Sequence, residues 1–214
     1  TLMEWGTFLP NSPTLMNAGA NNTGTLSACY VLPLNDDMEE IMQTASDQAM
    51  VEKFGGGVGF PLSNLRPRNA LIRSTHGKAC GPIEVLKTLS QVGRMITQGG
   101  KRDGAHMAVM SVYHPDIEEF IGCKSDGEEQ FSNFNISVGV DSNFMRAVEE
   151  DLRIHLTWPM CDEIHTKESA ILCQDANSGN FPKARDLFSK IIHGAWANGE
   201  PGMIWFDRME KDNV

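Results

Sequence analysis

Apolar segments that fit buried strands alternate along the chain with amphipathic segments that fit helices. Residues 26–34 are apolar and lie between turn residues, which predicts a buried strand. The next segment has apolar residues at helical spacing, with Asp36 and Asp37 as candidate N-caps and the glycines at 55–57 as its end. The same patterns predict later strands at 58–60, 107–112, 135–140, 154–158 and 203–206, and later helices at 82–96, 114–121, 142–149 and 182–198.

Strands that alternate with helices in this way indicate the α/β class, in which parallel strands are joined by right-handed helical crossovers. In such folds ligands bind at the carboxyl ends of the strands. We therefore expect the glycine-rich and polar junctions of the chain to lie at that end and to carry its chemistry.

Composition narrows the class of protein further. The formal net charge of −10 opposes non-specific binding to DNA, although a few basic groups still suffice for a small phosphorylated ligand. The five cysteines include no Cys-x-x-Cys pair, which predicts neither a disulfide framework nor a zinc site and indicates the cytoplasm. No apolar run reaches the roughly 20 residues that cross a bilayer. The start, without Met or a signal-like segment, indicates the interior of a longer chain.

Cys29 lies within the first predicted strand. A cysteine in a strand is most often a small buried apolar residue, and spacing alone favours that interpretation. A redox role requires exposure, a partner thiol and surroundings that stabilise the thiolate. Residues 11–19, just before this strand, offer hydroxyl and amide groups to a phosphate or a ribose. A turn whose side chains satisfy its own backbone is the simpler interpretation of that segment.

Two further segments combine glycine with possible ligand contacts. The glycines of 55–59 allow a ligand to approach the backbone, yet they lack the spacing of a phosphate loop and fit a helix end equally well. In 98–104, glycines accompany Gln98, Lys101 and Arg102, which either reach a phosphate or form an ordinary surface turn.

The remaining charged candidates are weaker. Arg66 and Arg73 belong to a small basic cluster, and such charges are usually only solvated. His76, His106 and His114 lack the spacing of metal ligands, so no metal site is predicted.

The order of these segments is more specific than any one of them. They read SPTLMNAG at 12–19, LSAC at 26–29, GGGVG at 55–59, QGGKRDGA at 98–105 and HPDIEEF at 114–120. In this order they resemble the catalytic subunit of ribonucleotide reductase, and the resemblance runs along the whole chain. The forms KRDGAH and STHGK look most like those of the adenosylcobalamin-dependent class II enzymes.

The resemblance implies a ten-stranded α/β barrel made of two antiparallel half-barrels, with residues 1–214 as one partial domain, the first half. In this family a thiyl radical on a central finger loop abstracts the 3′-hydrogen of the ribose. Water leaves from the 2′-carbon, and a pair of cysteines supplies the electrons. Cys29 matches the first of that pair, which would form a disulfide with a cysteine beyond this chain. A thioredoxin-like or glutaredoxin-like protein would then reduce the disulfide.

The resemblance also implies two nucleotide sites. The ribonucleotide substrate would contact Ser12, Pro13, Ala28, Cys29, Gly57, Lys101 and Arg102. The allosteric effector, a deoxynucleoside triphosphate, would contact Asp36, Asp37, Lys53, Arg66, Arg73 and Gln98. Ala28 stands where the family often has serine, so a side-chain contact there is not implied. The effector site of the family lies at a homodimer interface built partly from the helix after Asp36.

The radical cysteine of the family lies in an Asn-x-Cys-x-Glu motif, which this chain lacks. The adenosylcobalamin site is also expected largely outside it, so the chain alone is expected to be inactive. The nearest alternative is a class I catalytic subunit, whose radical comes from a separate metal-bearing subunit. A second alternative is a non-catalytic nucleotide-sensing relative. An unrelated α/β protein would have to match all five segments by chance.

Overall fold

The computed structural model of the chain describes residues 2–20, 24–96, 105–124, 131–159 and 181–213. In these residues five strands form one sheet in the order of the sequence, and every neighbouring pair is parallel. The strands are β1 (Cys29–Val31), β2 (Gly57–Pro61), β3 (His106–Ser111), β4 (Phe134–Val140) and β5 (Gly202–Trp205). The helices are α1 (Ser12–Asn17), α2 (Met38–Lys53), α3 (Pro82–Met95), α4 (Ile117–Gly122), α5 (Ser142–Glu149), α6 (Ala184–Asn198) and α7 (Phe206–Asp212). The predicted α/β class with parallel strands is confirmed.

The two faces of the sheet carry side chains of different size. On one face Val58 pairs with His106, and this face packs in a single apolar core with side chains of α2 to α6. On the other face Cys29 pairs with Gly57, and the neighbouring Met107 is exposed. Helices thus cover one face, while small residues leave much of the second face open in the described part of the chain.

Polar side chains define where several helices begin and end. Asp37 is the N-cap of α2, and its Oδ1 accepts from the backbone N–H groups of Glu39 at 2.9 Å and Glu40 at 3.3 Å. Asp141 caps α5 in the same way. Gly199 ends α6 with a φ of 86°, a left-handed conformation that glycine adopts without strain. The residues that signal these helix ends in the sequence therefore lie at the helix ends themselves.

The first strand is shorter than the predicted segment 26–34. Side chains of α1 occupy the backbone carbonyls before it, because Thr14 Oγ1 donates to Leu26 O at 3.0 Å and Asn17 Nδ2 donates to Thr25 O at 2.7 Å. Strand pairing begins only at Cys29. Helix α1 itself replaces the turn that was the simpler interpretation of 11–19.

The predicted strand at 154–158 is wrong. Buried and exposed side chains alternate there, as they do in a strand. The backbone, however, bonds to two different segments: Ile154 N–H donates to Pro182 O at 3.1 Å, and Thr157 N–H donates to Tyr113 O at 2.9 Å. The sequence pattern that predicted a strand therefore reflects alternating burial in a segment that pairs with no strand of the described residues.

The last predicted strand, 203–206, ends one residue early because Phe206 begins α7. Its ring lies against Gly139 of β4, where an added Cβ would stand 2.0 Å from a ring carbon. Gly139 lies on the face with small residues, since it pairs with Ser111. Helix α7 therefore covers the end of the otherwise open face.

Candidate functional site

Cys29 lies at the amino end of β1 on the open face of the sheet. It is exposed and carries a free thiol. It pairs in register with Gly57, whose backbone N–H donates to Ala28 O at 2.8 Å. The structure thus brings three predicted substrate residues, Ala28, Cys29 and Gly57, together in what we call the Cys29 corner. Its exposure removes the simpler interpretation of Cys29 as a buried packing residue.

The location of this corner differs from expectation. The glycine-rich junction was expected at the carboxyl ends of the strands, but residues 55–57 connect the end of α2 to the amino end of β2. The glycines end the helix through backbone bonds, with Gly55 N–H donating to Glu52 O at 2.8 Å. That expectation is therefore wrong for the Cys29 corner.

Gly57 stands where no side chain fits. A Cβ at this position would lie 2.7 Å from the carbonyl oxygen of Ala105, the residue before β3. Its backbone is consequently held between Ala28 on one side and Ala105 on the other. A role of this backbone beside a substrate remains a prediction.

Helix α1 is attached to the segment that leads into Cys29. The bonds from Thr14 to Leu26 and from Asn17 to Thr25 fix the helix against this stretch. Ser12, the first residue of α1, is exposed, and Pro13 is buried. Sequence reasoning missed the role of Thr14, because a threonine in a turn and a threonine that anchors a helix have the same sequence signal.

A second candidate site lies beyond the carboxyl ends of β1 and β2. It is a cavity of about 330 Å³ between the start of α2, the start of α3 and the segment after β2. Its polar lining includes Asp36, Asp37, Arg66, Ser74, Thr75 and Cys80. We call it the Asp36 pocket. Its position agrees with the expectation that ligands bind at the carboxyl ends of parallel strands.

Asp36 and Arg66 form an ion pair at this pocket. Arg66 donates to the Asp36 carboxylate twice, from its backbone N–H to Oδ1 at 3.0 Å and from Nε to Oδ2 at 2.6 Å. The guanidinium carbon also lies 6.0 Å from the centre of the Trp158 ring. Asp37 has a different task as the N-cap of α2, so the two adjacent acids are not equivalent.

His114 and Asp116 fix the backbone next to Arg66. The buried His114 ring has Nε2 2.9 Å from Leu65 O, and its Nδ1 accepts from Asp116 N–H at 3.0 Å, so Nε2 carries the proton. Burial lowers the pKa of His114 and keeps the ring neutral. Asp116 Oδ2 accepts from Arg68 N–H at 2.7 Å. The HPD segment thus positions the lining of the pocket, a role that sequence reasoning missed.

Other predicted effector residues are spread more widely. Lys53 ends the 16-residue helix α2, about 24 Å along the helix axis from Asp37. Arg73 is exposed beside the lining residue Ser74. Within one chain the structure therefore groups Arg73, but not Lys53, with the pocket. Gln98, Lys101 and Arg102 lie outside the described residues.

The described ranges contain neither a cluster of metal ligands nor a membrane-spanning helix. No three His, Cys, Asp or Glu side chains come together there as a set that could hold a metal ion. Among the helices of these ranges, none combines the length and the apolar character needed to cross a membrane.

The family model described as the ribonucleotide reductase barrel domain matches residues 27–214 of the chain. The chain belongs to the ribonucleotide reductase family. This confirms the predicted family and the α/β fold, and the five parallel strands fit part of the family's barrel.

Relatives are known from several organisms. The vitamin B12-dependent ribonucleoside-diphosphate reductase of Thermoplasma acidophilum is 41% identical over 206 residues, which make up 96% of this chain and 25% of the relative. The protein of the same name from Mycobacterium tuberculosis strain CDC 1551 is 37% identical over 213 residues, 100% of this chain and 29% of the relative. The ribonucleoside-diphosphate reductase subunit alpha of Bacillus subtilis is 29% identical over 155 residues, 71% of this chain and 22% of the relative. The chain thus spans about a quarter of the length of these relatives.

Proposed function

We propose that this chain forms part of a vitamin B12-dependent ribonucleotide reductase, which makes deoxyribonucleotides for DNA synthesis in the cytoplasm. The relatives named as dependent on vitamin B12 are 41% and 37% identical over nearly the whole chain. The Bacillus subtilis subunit alpha is 29% identical over 71% of it. This difference favours adenosylcobalamin over a radical from a separate metal-bearing subunit. The observation that supports a catalytic role is the exposed thiol of Cys29 beside Gly57.

In the proposed reaction Cys29 and a second cysteine of the complete enzyme are the reductant. The two thiols lose two electrons and two protons and become a disulfide. The 2′-hydroxyl of the substrate leaves as water with one proton, and the other proton forms the new C–H bond with the two electrons. A thioredoxin-like or glutaredoxin-like dithiol then restores the thiols. Exposure suits Cys29 to this task, because the substrate and the partner thiol must both reach its sulfur.

The substrate site of this proposal is centred on the Cys29 corner. Gly57 pairs with Cys29 and has no side chain that could obstruct a nucleotide beside this cysteine. Ser12 and Pro13 at the start of α1 would border the phosphate. Lys101 and Arg102, which precede β3 in the sequence, would complete the site.

Adenosylcobalamin supplies the radical in this class of enzyme. Its binding site is expected largely outside this chain, and we assign no cofactor contact to the described residues.

We further propose that the Asp36 pocket binds the deoxynucleoside triphosphate effector. Its volume of about 330 Å³ lies in the range of small-molecule sites. Asp36 would accept a hydrogen bond from the ribose, and Arg66 would donate to a phosphate with the guanidinium N–H groups that Asp36 leaves unused.

A homodimer would explain the distance of Lys53 from this pocket. Two copies packed through antiparallel α2 helices would bring Lys53 of one copy towards the pocket of the other. Helix α2 has apolar surface to bury in such a contact, since Met38, Met42 and Met50 are 69%, 55% and 50% exposed.

The test is Cys29→Ser in a complete reductase that carries this chain, supplied with adenosylcobalamin and a dithiol reductant. We expect no deoxynucleotide product, with substrate and effector affinities unchanged. Cys123→Ser is the matched control, because Cys123 is also a free thiol but lies at the end of α4, outside both candidate sites. Full turnover by Cys29→Ser would refute the role of Cys29. A wild-type protein that binds effector but forms no product would support the nucleotide-sensing alternative.

A further inference from the structure

Two titratable side chains meet in the core behind the Cys29 corner. Glu52 is the second-to-last residue of α2, and His106 is the first residue of β3. Both side chains are 0% exposed, and Glu52 Oε1 lies 3.5 Å from His106 Nε2. Neither residue has a part in the proposed reaction or in the Asp36 pocket.

Their polar atoms are unusual for a protein core. Among the described residues no hydrogen bond of good geometry reaches the carboxylate oxygens of Glu52, the ring nitrogens of His106 or Gln48 Oε1. The Gln48 side chain is nevertheless close enough to Glu52 to favour its carboxylate form. Most buried polar groups in proteins are paired, so such a cluster calls for a physical explanation. Gln48 itself is held in place by its Nε2, which donates to Leu89 O at 3.0 Å.

Among the described residues, Glu52 is the ionisable side chain that the His106 ring faces. A Cβ on Gly93 of α3 would stand 2.5 Å from Nε2, so the helix backbone lies directly against the ring. The ring centre is 4.9 Å from that of Phe134. The nearby Asn133 and Ser90 bond to each other, with Ser90 Oγ donating to Asn133 Oδ1 at 2.8 Å. Glu52 is therefore the group towards which His106 can direct a proton.

Charge in a dry core restricts the number of protons on this pair. A carboxylate beside a neutral imidazole leaves one negative charge, and a carboxylic acid beside an imidazolium leaves one positive charge. The pair is neutral overall only when a single proton is added to the carboxylate and the neutral imidazole together. Burial raises the pKa of Glu52 to about 7, against a smaller opposing effect of the Gln48 side chain, and lowers the pKa of His106 to about 4. Between these values both groups are uncharged.

No other titratable side chain among the described residues belongs to the cluster. Helix α2 adds Gln48, helix α3 adds Ser90, and the segment before β4 adds Asn133, none of which titrates. The charged residues next in sequence on the two helices, Lys53 and Arg94, are both exposed.

The pair connects two backbone segments that meet at the Cys29 corner. Glu52 O accepts from Gly55 N–H at 2.8 Å, which ends α2 just before β2. On the other side, His106 follows Ala105, whose carbonyl lies against Gly57. Gly57 in turn donates to Ala28 O, next to Cys29.

We propose that Glu52 and His106 act as one buried positioning pair, which shares a single proton and holds the end of α2 against the start of β3, so that the backbone of Gly57 and Cys29 keeps its place. The importance of this backbone position for catalysis rests on the function proposed above. The contact itself is a property of the folded chain.

The test measures hydrogen exchange of the Gly57 amide in this chain between about pH 5 and pH 8, corrected for the intrinsic effect of pH. In the unmodified chain Glu52 loses a proton on opening and His106 gains one, so their effects on the pH dependence nearly cancel. The equilibrium constant for local opening should therefore change by no more than about threefold over this range. Glu52→Gln leaves only His106, which gains a proton when exposed, so opening should be roughly 30-fold more favourable at pH 5 than at pH 8. His106→Gln leaves only Glu52, which loses a proton when exposed, so opening should be roughly 70-fold more favourable at pH 8 than at pH 5.

Three controls separate positioning from general stability. The double variant Glu52→Gln/His106→Gln should show no pH dependence, and Glu149→Gln, an exposed carboxylate on α5, should behave like the unmodified chain. The amide of Val112, which donates to Gly139 O at the far end of β3, should not follow Gly57.

The proposal is overturned if both single variants keep the flat profile of the unmodified chain, or if Val112 and Gly57 respond equally. Where a single variant unfolds within this range, Glu52→Gln must do so on the acid side and His106→Gln on the alkaline side. Unfolding of both on the same side also overturns it. No nucleotide or turnover is involved, so the outcome is independent of whether Cys29 is a catalytic thiol.

Discussion

Gly57 and Gly59 offer a direct test of the close approach at the Cys29 corner. Both lie in β2, two residues apart and therefore on the same face, and neither has a left-handed φ that would strain alanine. A Cβ on Gly57 would lie 2.7 Å from Ala105 O. A Cβ on Gly59 would meet nothing closer than Tyr30 O at 3.8 Å. The two alanine variants thus differ mainly in this one backbone contact.

The expected difference in stability follows from these distances. Carbon–oxygen contacts between strands are roughly 3.3 Å or longer, so Gly57→Ala forces the start of β3 away by about 0.6 Å. Overpacking of this kind costs about 1–3 kcal/mol. Gly59→Ala meets no such contact and should instead stabilise the chain by about 0.4–1 kcal/mol, because alanine restricts the unfolded chain. The same restriction of the unfolded chain applies to Gly57→Ala, so the two variants should differ by the overpacking cost alone, about 1–3 kcal/mol in free energy of unfolding.

Urea unfolding followed by circular dichroism measures this difference. With an m-value of about 1–3 kcal/mol/M, the midpoints of the two variants should lie roughly 0.3–3 M apart, with Gly57→Ala the lower. Equal midpoints would refute the reasoning, because Ala105 would then not restrict Gly57. A changed m-value in one variant would mean that the unfolded or native ensemble had changed, and the comparison would then use hydrogen exchange of the Gly57 amide.

Two further predictions concern other parts of the chain. Arg66→Ala should weaken binding of a deoxynucleoside triphosphate about 10-fold or more in equilibrium binding, because it removes a charge-assisted donor from the pocket, whereas Arg68→Ala should not. Arg68 is the matched control, since its side chain pairs with Glu84 and Glu119 outside the lining. Tyr113→Phe should lower the free energy of unfolding by about 0.5–1.5 kcal/mol, because the buried hydroxyl donates to Asp141 Oδ1 at 2.8 Å. An unchanged urea midpoint would show that this bond contributes nothing.

Much of the architecture was predictable because its signals are local. Asp37, the glycines at 55–57 and Gly199 mark helix ends within a few residues, and the alternation of elements was enough to predict a parallel sheet. The strand at 154–158 failed for the opposite reason. Its side chains alternate between buried and exposed because they pack between distant segments. No local sequence signal distinguishes this packing from a strand.

The sites depend on contacts across long sequence separations, which explains what was missed. Either Asp36 or Asp37 could cap α2, and only the pairing of Asp36 with Arg66, 30 residues away, separates their roles. Glu52 is one acid among several on an amphipathic helix, and nothing in its neighbourhood signals that it faces a histidine of β3. The exposure of Cys29 likewise follows from its place at the start of β1, which the longer apolar run concealed.

Helix α2 extends from the Asp36 pocket to the Cys29 corner. Its first turn is fixed by Asp37 at the Asp36 pocket, and its last turn carries Glu52 to His106 behind the Cys29 corner. A helix of 16 residues transmits a displacement along its axis because its backbone bonds are continuous, over about 24 Å here. Spatial continuity alone is not coupling. A coupling of the two sites through α2 is supported by the anchoring of each helix end at one of them. By linkage, any factor by which a ligand in the pocket changes the opening of Gly57 must equal the factor by which that opening changes the ligand's affinity.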